Sequence, residues 1–178
     1  MTAVFGITGW KNCGKTTLME RLVRELTDRG LVVSTVKHAH HAFDIDHEGT
    51  DSYRHRMAGA REVAIVSGYR WALMHELREE EEEPDLADIL PRLSPCDLVL
   101  IEGYKRERHP KIEVRRKEAV RGDPLFLQDD TIVAVAADHP VEGTALSVFD
   151  LNAVTDIADF IVRQLELKPA RMPADEGV

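Results

Sequence analysis

Nine residues near the start of the chain, 9–17 (GWKNCGKTT), constrain its fold more than any other stretch. They fit the pattern G-x-x-x-x-G-K-[ST] in full, through Gly9, Gly14, Lys15 and Thr16. The flanks sharpen the match. Residues 3–7 (AVFGI) form a short apolar run of strand length. Leu18, Met19, Leu22, Val23 and Leu26 then recur at helical spacing, and Gly30 supplies a C-terminal stop signal. Residues 31–36 (LVVSTV) read as a second strand. Strand, glycine loop, helix and strand make a βαβ unit with the motif at its first turn.

That placement has a chemical meaning. Glycines let the backbone wrap closely round a phosphate, and the amides at a helix N-terminus point at it along the favourable end of the helix dipole. The expected nucleotide-binding set is Gly9, Trp10, Lys11, Asn12, Cys13, Gly14, Lys15, Thr16 and Thr17. Lys15 is expected to reach the β- and γ-phosphates, and the Thr16 hydroxyl to take a Mg²⁺ ligand position. Some P-loop dimers carry a second lysine five residues before the main one. Here Trp10 holds that position, so Lys11 reads as a solvated or phosphate-steering charge. Cys13 reads as a small filler of the loop, not a nucleophile.

Composition narrows the class. A chain of 178 residues is most simply one domain, taken here as 1–168, with 169–178 as a loose tail that has little to bury. A net charge of −9 argues against a general grip on nucleic acid. Two cysteines make no disulfide framework, no apolar run reaches membrane-spanning length, and the chain enters a strand at once without a secretory leader. Cytoplasm is the expected compartment.

Further strands are legible at 62–66 (EVAIV), 97–101 (DLVLI) and 132–137 (IVAVAA). Their continuous apolarity predicts strands covered on both faces, hence a mostly parallel α/β sheet with helices on both faces. Residues 71–74 (WALM) and 111–115 (KIEVR) are expected as additional short strands, the latter alternating as an edge strand would. A helix is expected over 152–165 and a shorter one from Asp51 towards Gly59. The acidic run 79–83 reads as a solvated loop entering a helix near 85–90.

Ligands of open parallel sheets sit beyond the carboxyl ends of the strands. The strand at 97–101 delivers Glu102 there, where an acidic group orients Mg²⁺ or polarises the attacking water; Lys15 and Glu102 are the expected catalytic pair. Asp97 opens the same strand at its far end and is excluded. The strand at 132–137 delivers Asp138, which is placed to accept from the N1 and N2 hydrogens of guanine, although the usual Asn-Lys-x-Asp frame is absent. Residues 37–60 are polar and histidine-rich, with His38, His40, His41 and His47 beside Asp44 and Asp46. They contain no cysteine pair and no helical His-x-x-x-His, which favours a loop closing over phosphates and Mg²⁺ above a transition-metal site. Asp46 is the metal-facing carboxylate expected from it.

With these residues in place, the chain resembles the molybdopterin-guanine dinucleotide biosynthesis adaptor family (MobB). GWKNCGKTTL, KHAHHAFDID with GTDSYRHRMAGA, SGYRWALMHEL and DLVLIEGYKRERHPKIEVRR carry the resemblance, in that order, from the first strand to about Arg116. It implies a P-loop NTPase fold and a GTP-binding homodimer, a slow GTPase at most, that assists the guanylyltransferase attaching GMP to molybdopterin in molybdenum cofactor assembly. Guanine and molybdenum rest on the resemblance, whereas nucleotide and Mg²⁺ rest on the residues themselves. Lys105, Arg106 and Arg108 read as a solvated basic turn, or as cations offered to a pterin phosphate or a partner. Two other classes stay open on the residues alone: a small-molecule kinase using Arg54, Arg56 and Arg61 as a lid, and a metal-insertion GTPase using the histidine-rich loop.

Overall fold

Apolar strands without alternation must be covered on both sides, and the sheet that results is parallel. The computed structural model describes residues 2–39, 43–104, 106–119 and 122–168. The expected tail at 169–178, His40, His41 and Lys105 lie outside these residues. Six strands form the main sheet in the order β2-β5-β1-β6-β7-β8, every neighbouring pair parallel. They are β1 (Ala3–Thr8), β2 (Val33–Lys37), β5 (Leu98–Glu102), β6 (Lys111–Arg115), β7 (Ile132–Ala137) and β8 (Ser147–Asp150). A separate two-stranded antiparallel sheet joins β3 (Glu62–Val66) to β4 (Trp71–His75). A mostly parallel sheet with helices and extra antiparallel strands is what the pattern of apolar runs predicts.

The first helix, α1 (Lys15–Asp28), buries Leu18, Leu22 and Leu26 against one face of the sheet. The last helix, α4 (Val154–Gln164), adds Ile157, Ala158 and Ile161 to the same core, beside Phe5, Ile7, Leu100 and Ile112. Each fully buried aliphatic side chain there contributes about 1.5–3 kcal/mol. At the end of α1 the expected stop is present: Gly30 has φ +83° and its N–H returns to the Thr27 carbonyl.

Two strands differ from expectation. Residues 111–115 alternate, which predicts an edge; β6 instead lies inside the sheet between β1 and β7, with all five residues buried. The alternation separates two kinds of interior. Ile112 and Val114 enter the apolar core, while Lys111, Glu113 and Arg115 are buried with polar partners. Lys111 Nζ donates to the Glu107 carbonyl and to Thr131 Oγ1; Glu113 accepts from Arg115 at 2.9 Å and from the Phe126 N–H at 3.0 Å. Charges persist inside a protein when they are paired in this way.

The second difference is β3. Its apolar sequence predicts a strand of the parallel sheet, yet it pairs only with β4, and Val63 alone of its five residues is buried. The connection favours the local partner. The Ser67 N–H donates to the Arg70 carbonyl, and the Ser67 hydroxyl accepts from the Tyr69 and Arg70 amides, closing a hairpin over four residues.

Contacts divide the chain into two compact units, Met1–His38 with Pro91–Val178, and Ala39–Leu90. The second unit holds α2 (Asp51–Met57), the β3–β4 hairpin and α3 (Leu86–Ile89). Among its described residues, Val63, Met74 and Leu86 are the buried apolar side chains. Arg56 ties it together through Asp44 at 2.9 Å and Glu76 at 3.0 Å.

Candidate functional site

Between the end of β1 and the start of α1 the chain must turn tightly beneath a neighbouring strand. At Gly9, with φ +145°, an added Cβ would lie 2.5 Å from the Val114 carbonyl oxygen, so no other residue fits. Gly14 is the N-cap of α1 in a left-handed conformation, and no side chain caps the helix or places an acid in its first turn. The amides of that turn, at the positive end of the helix dipole, are therefore offered to an anion.

Lys15 Nζ donates to the carbonyls of Trp10 at 2.8 Å and Gly9 at 3.1 Å, and sits 3.8 Å from Cys13 Sγ. The Cys13 thiol is buried, and burial pushes its pKa up despite the nearby lysine. It fills space under the loop, as its position suggested. The Trp10 indole N–H donates to the Asp123 carbonyl at 3.2 Å, and Gly122 leaves room for the ring.

Glu102 ends β5, whose register sets Glu102 beside Ile7 of β1. Both carboxylate oxygens lie 3.4 Å from the Thr16 hydroxyl. The turn that follows requires glycine: Gly103 has φ +103°, and a Cβ there would meet His38 Cβ at 2.6 Å. Asp97, at the opposite end of the strand, binds the Val32 N–H at 2.7 Å.

A groove of about 450 Å³ is lined by Lys11, Asn12, Gly14, Lys15, Thr16, Thr17, Glu102 and Arg116. The sequence points to all of these except Arg116. That residue follows β6 directly: because β6 lies inside the sheet and not at the expected edge, its C-terminal end reaches the same rim as those of β5 and β7.

Asp138 lies past the end of β7. Its Oδ1 accepts from the Lys117 N–H at 2.8 Å and from His139 at 2.9 Å, and the His139 contact foremost holds its pKa below the usual carboxylate range. Asp46 belongs to the second unit. Its Oδ1 accepts from the Thr50 hydroxyl at 2.6 Å, the Ser52 hydroxyl at 3.0 Å and the His47 N–H at 3.0 Å, while Arg56 Nε stands 3.6 Å from Oδ2. Hydrogen bonding, led by Thr50, lowers its pKa.

The Thr16–Glu102 pair also tests the site for Mg²⁺. The ion takes oxygen ligands at about 2.0–2.1 Å in octahedral geometry and keeps several waters, so neighbouring ligand oxygens stand roughly 3 Å apart. A hydroxyl and a carboxylate at 3.4 Å on an open groove fit it, with Thr16 as a direct ligand and Glu102 acting directly or through water.

The chain and its fold have counterparts among known proteins. The sequence model of the family "MobB: Molybdopterin guanine dinucleotide synthesis protein B" matches residues 4–138. The molybdopterin-guanine dinucleotide biosynthesis adapter protein of Haemophilus influenzae is 41% identical over 158 residues, covering 89% of this chain and 86% of that one. The protein of the same name from Escherichia coli is 38% identical over 168 residues, covering 93% and 95%. Among solved structures, a molybdopterin-guanine biosynthesis protein B shares 35% identity at a TM-score of 0.71, over 91% of this chain and 99% of that one. A MobB homologue from Bacillus stearothermophilus shares 32% at 0.67, over 92% and 97%.

Proposed function

Since the chain belongs to the molybdopterin guanine dinucleotide synthesis protein B family, we propose that it is an adapter in molybdopterin-guanine dinucleotide biosynthesis that binds GTP with Mg²⁺. The observation that carries the nucleotide reading is the Thr16 hydroxyl facing the Glu102 carboxylate at 3.4 Å, on a groove shared with Lys15 at the N-terminus of α1. In this reading the amides of the loop hold the β-phosphate. Lys15 exchanges the Gly9 and Trp10 carbonyls for phosphate oxygens, and Thr16 and Glu102 hold the metal. Mg²⁺ supplies neutralising charge to the β- and γ-phosphates. Glu102 orients water, and hydrolysis without an arginine finger is slow, since little offsets the charge developing on the γ-phosphate.

The protein is proposed to work in the cytoplasm as a homodimer, alongside the guanylyltransferase that uses molybdopterin. No helix among the described residues is long and apolar enough to cross a membrane. The apolar side chains exposed on the hairpin, Val66, Trp71 and Leu73 among them, support a second copy as the covering partner.

Calorimetric titration with GTP and ATP, with and without Mg²⁺, tests the reading. Mg²⁺-assisted preference for GTP is expected. Lys15→Ala should weaken binding by about a hundredfold, the worth of strong charged hydrogen bonds. Glu102→Gln should reduce turnover more than affinity. Undiminished affinity in Lys15→Ala would overturn the loop assignment, and preference for ATP would put a kinase first.

A further inference from the structure

We propose that Arg116 is a phosphate-binding residue of the glycine loop and that Asp138 is the positioning residue that holds it there; this rests on the nucleotide-binding reading above. The guanidinium lies over Gly14, the N-cap of α1. A Cβ added to that glycine would meet Arg116 Nη2 at 3.5 Å and its Cζ and Nε at 3.6 Å. It therefore faces the amides offered to an anion, and it lines the same groove as Lys15, Thr16 and Glu102. Three other arginines of this unit pair with carboxylates: Arg29 with Glu25 and Asp159, Arg108 with Asp130, and Arg115 with Glu113. The guanidinium of Arg116 donates to no acceptor among the described residues, and it stays exposed on the groove.

Its place is fixed from both sides. Arg115, the residue before it, is buried in β6 and paired to Glu113. The residue after it, Lys117, gives its N–H to Asp138 Oδ1 at 2.8 Å. The register makes this possible: Arg115 stands opposite Ala137 of β7, so the next residues of the two strands meet beyond the sheet. The turn closes on itself through the Ala119 N–H and the Arg116 carbonyl at 2.9 Å. His139 donates to the same Oδ1 and keeps that carboxylate anionic and aimed. A backbone held in this way keeps the arginine beside the loop, and its planar fork matches two phosphate oxygens at once. The ligand chemistry it serves is the polyphosphate of a nucleotide, with a charge supplied from the same chain as the loop.

The experiment is calorimetry of Mg²⁺-GTP on the full chain and on Arg116→Ala, Arg116→Lys, Asp138→Asn and the Arg116→Ala/Asp138→Asn double variant, with melting temperatures alongside. Arg116→Ala should weaken binding about tenfold or more without lowering the melting temperature, and Arg116→Lys should recover part of the loss by charge without the fork. Asp138→Asn should weaken binding by less, and add nothing once Arg116 is gone. Equal affinity in Arg116→Ala overturns the phosphate role. Fully additive losses in the double variant overturn the positioning role, because Asp138 would then act on the nucleotide by itself. If the unsubstituted protein binds no GTP, the nucleotide reading falls and this inference with it; if it binds and Arg116→Ala binds equally, this inference alone falls.

Discussion

β5 (LVLIE) and β3 (EVAIV) each set four apolar residues beside one glutamate, and the protein uses them in opposite ways. In β5 Leu98, Val99, Leu100 and Ile101 are all buried, flanked by β1 and β2. In β3 only Val63 is buried, and Ile65 and Val66 are 44% and 74% exposed. Apolarity brings a strand to a partner, but burial depends on whether a layer lies over it. The main sheet has α1 and α4 on one face; the hairpin within Ala39–Leu90 presents Val66, Trp71 and Leu73 outward, a surface that the proposed second copy would cover.

Paired truncations measure this contrast and carry the largest expected effect. Leu100→Ala leaves a cavity in a closed core and should cost about 2–5 kcal/mol in urea unfolding. Leu73→Ala, half exposed to begin with, should cost less than about 1 kcal/mol at concentrations where the protein is monomeric. Its effect should emerge as weaker self-association in sedimentation. Equal stability losses at the two sites would break the comparison.

The units also differ in how pH reaches them. His109, in the first unit, is buried with both ring nitrogens unpartnered, and it packs against Gly6 and Lys111. Burial, assisted by the Lys111 charge and opposed by Asp129, lowers its pKa from 6.5 to about 4. An unfolded chain therefore binds a proton at this site below about pH 6.5, where the folded one does not until about pH 4. The His109 contribution to stability should fall as pH drops through that window, by up to about 3 kcal/mol, and level off below it. His109→Gln should flatten the slope in denaturant titrations between pH 6.5 and 4. An unchanged slope would assign the acid sensitivity elsewhere.

The sequence makes the glycine loop, α1, the capping Gly30 and the strand-end Glu102 legible because each follows from a local rule. A turn requires glycine, a helix needs periodic apolar residues, and a parallel sheet sends its strand ends to one rim. β6 was misplaced because burial of Lys111, Glu113 and Arg115 depends on partners far along the chain, Thr131 and Phe126 among them, which no local window contains. Arg116 is hidden for the same reason, since only an interior β6 carries its C-terminal end to the phosphate rim. β8, only four residues (SVFD) with two apolar ones, carries too short a pattern to read. Asp138 was legible as a strand-end acid, but its bond to the Lys117 amide was not, because it depends on the β6–β7 register.

The smallest expected effect concerns what holds the second unit without a deep core. Thr50 is the N-cap of α2: its hydroxyl accepts from the Tyr53 N–H at 3.3 Å and donates to Asp46 at 2.6 Å, and Asp46 in turn binds Ser52. Such caps contribute about 1 kcal/mol. Because this unit buries few apolar side chains, it should open locally at a lower free energy than the main sheet. Thr50→Ala should therefore speed amide hydrogen exchange across α2, β3 and β4 by about fivefold, the equivalent of that loss, while β1 and β5 keep their protection. Exchange that quickened equally in the main sheet would mean that the two units unfold as one, and the contrast between β5 and β3 would then concern exposure alone and not stability.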